Sequence, residues 1–333
     1  MVSGLRNAFL TGVLAAIWLM PIAAFAEELD IVWQAIQWGE LERTYGVYVP
    51  QTKADPAPLV LLLHGGGGRA SGTWEQEHGR SWRALADEHG FVLLLPEGRI
   101  DPGETDAHHW NDCRTEIEIP AVATEEDDVG FVLHVIDTVS DAHAIDPSRI
   151  FATGASNGGM MTFRLALEAG DRFAAAAAVI ANLPSPSECP GEAAPIPMLI
   201  MNGTDDPIMP RGGGCVAGEP CERGRVLSTT DTIAFWVGLN GASGEPAVER
   251  LPNRSWFDGS TVTVYSFDGG DEGADVVYYR VSGGGHAVPG FGRPSLPRWI
   301  VGGDKNRDID GPAEIWSFFE RHVEPRLSEG SGS

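Results

Sequence analysis

RIFATGASNGGMMTFRLALEAG (Arg149–Gly170) runs from a short apolar stretch into a segment of helical spacing, through a turn that sets Ser156 between Gly154 and Gly158. A serine at such a junction is held in a strained backbone conformation. Its neighbours two positions away must be small if strand and helix are to pass closely. The G-x-S-x-G pattern occurs once in the chain, in the strand-turn-helix context that an exposed nucleophile needs. This context favours a nucleophile over a merely flexible turn. Its hydroxyl is then expected at the carboxyl end of a parallel sheet, where open α/β sheets place their ligands.

The flanking sequence repeats the same alternation. LVLLLHG (Leu59–Gly65) and the apolar part of GFVLLLPEG (Gly90–Gly98) are continuous apolar runs, as expected of strands buried on both faces. ERTYGVYVP (Glu42–Pro50) alternates like a half-buried antiparallel strand. Helical spacing follows in SWRALADEHG, which ends on Gly90, and in DDVGFVLHVIDTVSDAH, which opens on acids. FAAAAAVIA, MLIMNG, VTVYSF and VVYYRVSG read as further strands. TTDTIAFWVGLNG and GPAEIWSFFERHV read as helices, the latter with Pro312 in its first turn. The pattern predicts an α/β fold with a mostly parallel central sheet and helices on both faces. Residues 27–325 are expected to form a single domain, and 326–333 a disordered tail.

A serine hydroxyl needs a base, and the base needs an orienting acid. His286 follows VVYYRVSG through three glycines, so it lies just past a strand's carboxyl end. His78, His89, His143 and His322 fall on or at the ends of helices and read as solvated. His108 and His109 have no spaced partner for a metal. NGTDDPIMP follows its own strand and offers Asp205 and Asp206. Asp206 is preferred, with Asp205 as a turn residue. LHGGGG ends the first central strand in a loop with unobstructed backbone N–H groups. One oxyanion donor is assigned to Gly66, with Gly67 as the alternative, and the other to Asn157, directly after the nucleophile. The glycines lack the Lys-Ser/Thr of a phosphate-binding loop. NRDIDG (Asn306–Gly311) begins like a calcium loop but has Asn306 at its first position and Ser317 where the bidentate Glu belongs. It is read as a solvated lead-in to the last helix. No cofactor and no metal is expected.

The first 26 residues carry Arg6, an apolar run, and small residues at Ala24 and Ala26, the pattern of a cleaved secretory signal, with the mature chain starting near Glu27. The expected location is extracellular or periplasmic, with no membrane attachment after cleavage. In an oxidising compartment the four cysteines suggest disulfides. Cys215 and Cys221 bracket a short Gly-rich loop that they can close, leaving Cys113 for Cys189, although four cysteines permit three connectivities. The net charge of −24 repels phosphate backbones and anionic membranes, which argues against a nucleic-acid partner.

Taken together and in order, LLLHGGGG, GFVLLLPEG, WNDC, DDVGFV, DPSRIFATGASNGGMM, NGTDDPIMP, GGGHAVPG and DIDGPAEIWSFF resemble the secreted polyhydroxybutyrate-depolymerase and feruloyl-esterase family of α/β-hydrolases, over about Thr44 to His322. The resemblance implies an α/β-hydrolase fold and an extracellular ester hydrolase with Ser156, Asp206 and His286 as its triad. Trp110, in the WNDC match, and Val288 are expected beside the substrate. Val288 stands where the family commonly has a Trp, which removes a bulky wall. Ala242 stands where many members have a cysteine, and no cysteine occurs between Phe267 and Gly270, so both halves of that bridge are absent. No polymer-binding module or Ser/Thr-rich linker is apparent, which favours soluble or short, small-molecule or oligomeric esters over solid polyester. A peptidase of the same fold and a non-catalytic carbohydrate- or ester-binding protein are the competing readings. The second is disfavoured because every triad and oxyanion element is present.

Overall fold

The computed structural model describes residues 1, 30–100, 107–115, 117, 126–189, 193–242, 244–269, 274–292, 303 and 305–322. The expected signal cleavage site and the C-terminal tail lie outside these residues. Ten strands form the central sheet: β1 (Val32–Trp38), β2 (Leu41–Tyr48), β3 (Ala57–Leu63), β4 (Val92–Pro96), β5 (Ile145–Ala155), β6 (Ala175–Val179), β7 (Met198–Gly203), β8 (Ala247–Arg250), β9 (Thr261–Phe267) and β10 (Val276–Ser282). Their spatial order is β1-β2-β4-β3-β5-β6-β7-β10-β9-β8. The block from β4 to β10 is parallel throughout. Antiparallel strands finish both edges.

The central strands are apolar on both faces because both faces are covered. Every residue of β3, β4, β6 and β7 is buried. Helices α3 (Asp128–His143), α4 (Asn157–Glu168) and α5 (Thr229–Leu239) supply one apolar layer, centred on residues such as Phe131, Phe163 and Trp236. Helices α1 (Ala70–Glu75), α2 (Glu77–His89) and α6 (Gly311–Glu320) supply the other, in which Trp316 lies 4.1 Å from Phe91 between ring centroids. The helices begin and end where local chemistry dictates. Asp127 caps α3 by accepting from Gly130 N–H, Ser228 caps α5 by accepting from Asp231 N–H, and Gly90 closes α2 in the left-handed region.

The alanine run of β6 has helical propensity but sits in the sheet. Helix α4 crosses close to the end of this strand: a Cβ on Gly159 would be 3.0 Å from Val179 O and 2.7 Å from Ala181 Cβ, just past the strand. Tertiary packing overrides propensity here. Of the three possible disulfide pairings the chain adopts Cys113–Cys189 and Cys215–Cys221, with Cα separations of 5.3 and 4.7 Å. Among the described residues no helix is long and apolar enough to cross a membrane.

Candidate active site

Ser156 occupies the turn between β5 and α4 with φ 58° and ψ −122°, in the region that ordinary side chains avoid. Two glycines permit this. A Cβ on Gly154 would lie 2.4 Å from the Gly158 carbonyl oxygen, and one on Gly158 would lie 2.4 Å from that of Leu63. Ser156 N–H donates to Val179 O at 2.9 Å, which ties the turn to β6. The strain is therefore held by the sheet on one side and by the close helix on the other.

Asp206 and His286 come from the loops after β7 and β10, neighbouring parallel strands whose carboxyl ends lie side by side. Asp206 Oδ2 is 2.7 Å from His286 Nδ1. A carboxylate oxygen only accepts, so Nδ1 bears the proton and Nε2 is left as the basic nitrogen. The other carboxylate oxygen, Oδ1, accepts from Ile208 and Met209 N–H, both at 2.8 Å. Asp205 is exposed and accepts from its neighbour Thr204 Oγ1. The structure thus brings Asp206, not Asp205, to the histidine.

Ser156 and His286 line one cleft of about 810 Å³, together with Gly65–Gly68, Ile180, Ile208 and Val288. Gly66 lies in the cleft wall and the buried Asn157 sits next to it: a Cβ on Gly66 would lie 3.2 Å from Asn157 Cβ. Gly67 N–H, the alternative donor, is already bonded to His108 O at 2.9 Å. Val288 is half-buried and lies in the cleft wall.

Trp110 departs from expectation. It is fully buried, its indole N–H donates to His64 O at 3.0 Å, and its ring packs on His64. The Asn157 side chain brackets its backbone, accepting from Trp110 N–H at 2.8 Å and donating to Trp110 O at 3.0 Å. Trp110 therefore braces the glycine loop from behind and does not line the cleft. Its large apolar surface and its N–H are both satisfied inside. His78 also differs from the expected solvated histidine. It is half-buried in the cleft wall, and burial, reinforced by the nearby Lys305 ammonium, pushes its imidazole down to about 4.

Sequence reading missed the support beneath the glycine loop. His64 is buried. Its Nδ1 donates to Gly65 O, and its Nε2 accepts from Gly98 N–H, both at 2.9 Å. Burial holds it neutral, down to about 3. Glu97 accepts from Ala70 N–H at 2.9 Å and lies 3.2 Å from His64 Nε2. That nitrogen is an acceptor, so the contact is no ion pair. Burial raises the Glu97 carboxyl to about 7. The signal for this support was present in PEG (Pro96–Gly98), at the end of a buried strand, but only the fold shows which loop it meets.

The sheet order, the serine elbow and the parallel-strand loops that carry Asp206 and His286 define an α/β-hydrolase. Residues 122–183, a range that includes α3, the elbow and β6, match the prolyl oligopeptidase family model (Peptidase S9). The acetyl xylan esterase of Aspergillus awamori superposes with a TM-score of 0.52 at 17% identity, covering 78% of this chain and 95% of that one, a likeness of fold. The chain is 32% identical over 256 residues to the putative esterase NocK of Nocardia uniformis subsp. tsuyamanensis, covering 74% of this chain and 70% of that protein. It is 29% identical over 238 residues to feruloyl esterase B of Piromyces equi, and there it spans 69% of its own length but only 40% of the relative's. The chain belongs to the polyhydroxybutyrate-depolymerase and feruloyl-esterase family of α/β-hydrolases, a family of carboxylic ester hydrolases.

Proposed function

We propose that the protein is a secreted serine esterase that cleaves carboxylic esters through an acyl-enzyme. His286 Nε2 removes the proton of Ser156 as its oxygen attacks the ester carbonyl. Asp206 holds the imidazole in the productive tautomer and stabilises the imidazolium that forms. The Gly66 and Asn157 N–H groups receive the developing oxyanion. His286 then passes its proton to the departing alkoxide. A water molecule, activated by the same nitrogen, releases the acid and restores Ser156. The observation that carries this reading is the 2.7 Å Asp206–His286 contact at the wall of the cleft that also holds Ser156.

The substrates are soluble or short esters of the hydroxyalkanoate, hydroxycinnamoyl or acetyl class. The half-buried Val288 leaves room beside His286 for a bulky group. Export through residues 1–26 agrees with the two disulfides, which persist in oxidising surroundings.

The test is turnover of para-nitrophenyl acetate by the purified protein, with and without a fluorophosphonate. The reading expects hydrolysis, covalent labelling at Ser156, and a loss of about a thousandfold or more in both Ser156→Ala and His286→Ala with the fold intact. Near-normal hydrolysis by Ser156→Ala refutes it. Faster cleavage of a peptide para-nitroanilide than of the ester would select the peptidase reading instead.

A further inference from the structure

The cleft that holds Ser156 and His286 reverses the charge balance of the chain. Acidic residues outnumber Lys and Arg by 47 to 23 in the sequence. In the cleft wall Arg69, Arg80, Arg223 and Lys305 stand against Glu77, the single carboxylate among its described lining residues. Glu77 is already engaged: its Oε2 pairs with Lys305 Nζ and its Oε1 accepts from Gly292 N–H. Lys305 is held in place because the NRDIDG segment after it turns inward. Asn306 and Asp308 are each 1% exposed, and Asp308 Oδ1 accepts from the N–H groups of Arg254 and Ser255 at 2.7 and 2.9 Å, which corrects the reading of this segment as a solvated lead-in. Arg80 Nη1 donates at 2.5 Å to the neutral carbonyl of Glu75, so that bond leaves its charge unmatched.

Arg223 is the least engaged of these cations. It is exposed, and among the described residues no carboxylate lies within ion-pair distance of its guanidinium. Glu219, on the same loop, lies 3.8 Å from Arg225 instead. The backbone of Arg223, by contrast, is gripped from below. Its carbonyl accepts from Arg114 Nη1 at 2.5 Å. The buried Arg114 holds the Asp112 carboxylate through Nε and Nη2 at 2.9 and 2.8 Å, and Asp112 Oδ2 accepts from Asn157 Nδ2 at 2.5 Å. The Cys215–Cys221 disulfide closes the loop just before Arg223, and a Cβ on Gly224 just after it would lie 2.5 Å from Ile117 Cγ2. The guanidinium therefore extends into the cleft from a base fixed relative to Asn157, the residue assigned an oxyanion donor.

We infer that Arg223 selects esters that carry a second, ionised carboxylate away from the scissile bond, the chemistry of half-esters of dicarboxylic acids and of acyl groups on carboxylated alcohols. This rests on the esterase reading above. A guanidinium presents a planar fork that a carboxylate meets with two parallel N–H···O bonds. Fixing the chain that carries the fork lowers the cost of that contact. The net charge of −24 opposes an anion at a distance, but salt screens exposed charges beyond about 8–10 Å, so within the cleft the near cations decide. Arg80, on α2, adds to the same field. A cation that served the oxyanion alone would favour all esters equally, whereas one that meets a distant carboxylate separates charged from neutral substrates.

The test compares ester pairs that differ in the distant charge: monomethyl with dimethyl adipate for the acyl half, and 4-acetoxybenzoate with its methyl ester for the alcohol half, at about pH 7.5, where the carboxylates are ionised. For the native protein at about 20 mM salt, kcat/KM per ester group should favour the charged member of at least one pair by about fivefold or more, and the preference should shrink at about 500 mM. The pair that responds identifies the half that carries the carboxylate. Arg223→Gln should cut the charged-to-neutral ratio about tenfold and Arg223→Glu further, with Tm unchanged at this exposed position. Arg250→Gln, on the exposed edge strand β8, should leave the ratio as it is. A native preference for the neutral member of both pairs overturns the inference. So does an equal loss on charged and neutral members in Arg223→Gln, which would give the cation to the oxyanion, or an equal shift in Arg250→Gln, which would make the effect one of net charge. If the native protein hydrolyses neither these esters nor para-nitrophenyl acetate, the esterase reading fails by itself. Calorimetric binding of monomethyl adipate then still decides the role of Arg223: a Kd weakened about tenfold in Arg223→Gln supports it, and an unchanged Kd overturns it.

Discussion

Replacing Asp206 by Asn should nearly abolish turnover, for a reason specific to this loop. The carboxylate makes three hydrogen bonds. Oδ1 receives two backbone N–H groups, from Ile208 and Met209, and Oδ2 faces His286 Nδ1. An asparagine has one oxygen. If it serves the two backbone donors, its NH₂ group faces Nδ1, which must then accept, so the proton moves to Nε2 and the base is lost. If the amide flips to restore the productive tautomer, its NH₂ confronts two backbone donors. Each unsatisfied donor costs about 1–3 kcal/mol, so the flip costs about 2–6 kcal/mol. That makes the competent arrangement rarer by roughly thirtyfold to twenty-five-thousandfold, and the neutral amide also cannot stabilise imidazolium. We expect kcat on para-nitrophenyl acetate to fall roughly a thousandfold to ten-thousandfold, with KM and Tm little changed. Asp205→Asn, at an exposed position, should stay within about threefold. A kcat for Asp206→Asn within tenfold of the native protein would refute the orienting role of this carboxylate.

Val288→Trp should move kcat/KM toward acetate over ferulate esters by roughly tenfold, because a flat ring then fills the wall beside His286. Unchanged selectivity with a lowered Tm would mean that residue 288 only fills space. Gly158→Ala places a Cβ 2.4 Å from Leu63 O and 2.5 Å from His64 O, so urea denaturation should show a loss of about 3 kcal/mol. A variant as stable as the native protein would mean that helix and strand are not in close contact. Glu97→Gln should stabilise the protein at pH 8 but not at pH 4. Folding raises the carboxyl from 4.5 to about 7, so the folded state keeps a proton that the unfolded state has lost, and stability declines as pH rises through that window. The native protein forfeits about 3 kcal/mol by pH 8, and the glutamine does not. Parallel Tm-against-pH curves for the two proteins would show that Glu97 does not titrate there.

Much of this architecture was legible because its signals are local. The continuous apolar runs of β3, β4 and β7 follow from burial on both faces, and the glycines around Ser156 from the crossing of β5 and α4. Asp206 and His286 were findable because each follows a strand directly, so chain order predicts the edge on which each emerges. The edge strands β1 and β8 were not legible. β1 shows mostly exposed residues with weak alternation, and all four residues of β8 are exposed, so little burial imprints a period on either. Trp110 was misassigned because a tryptophan near a site reads alike whether it faces substrate or core. What decides is its contact with His64, 46 positions away in sequence.

The support beneath the glycine loop fits what the proposed oxyanion hole would demand. Its donors must be fixed before the charge appears, since reorganising them at the moment of reaction would consume the stabilisation they provide. Glycines at 65–68 put no side chain in front of the Gly66 N–H, although Gly67 and Gly68 N–H are already bonded to His108 O and Gly65 O, and they leave the loop without side chains of its own to hold it. The constraint must then come from outside. Here His64 grips Gly65 O and Gly98 N–H, His108 pairs with Gly67 and Gly68, and Glu97 secures Ala70 where the loop enters α1. His64 and Glu97 are buried, which drives the imidazole of one and the carboxyl of the other toward their neutral forms. A buried acid that resists ionisation is a poor choice for stability above neutral pH. Its position at the start of α1 shows what it secures in return, the fixed glycine loop to which the proposed mechanism assigns the Gly66 donor.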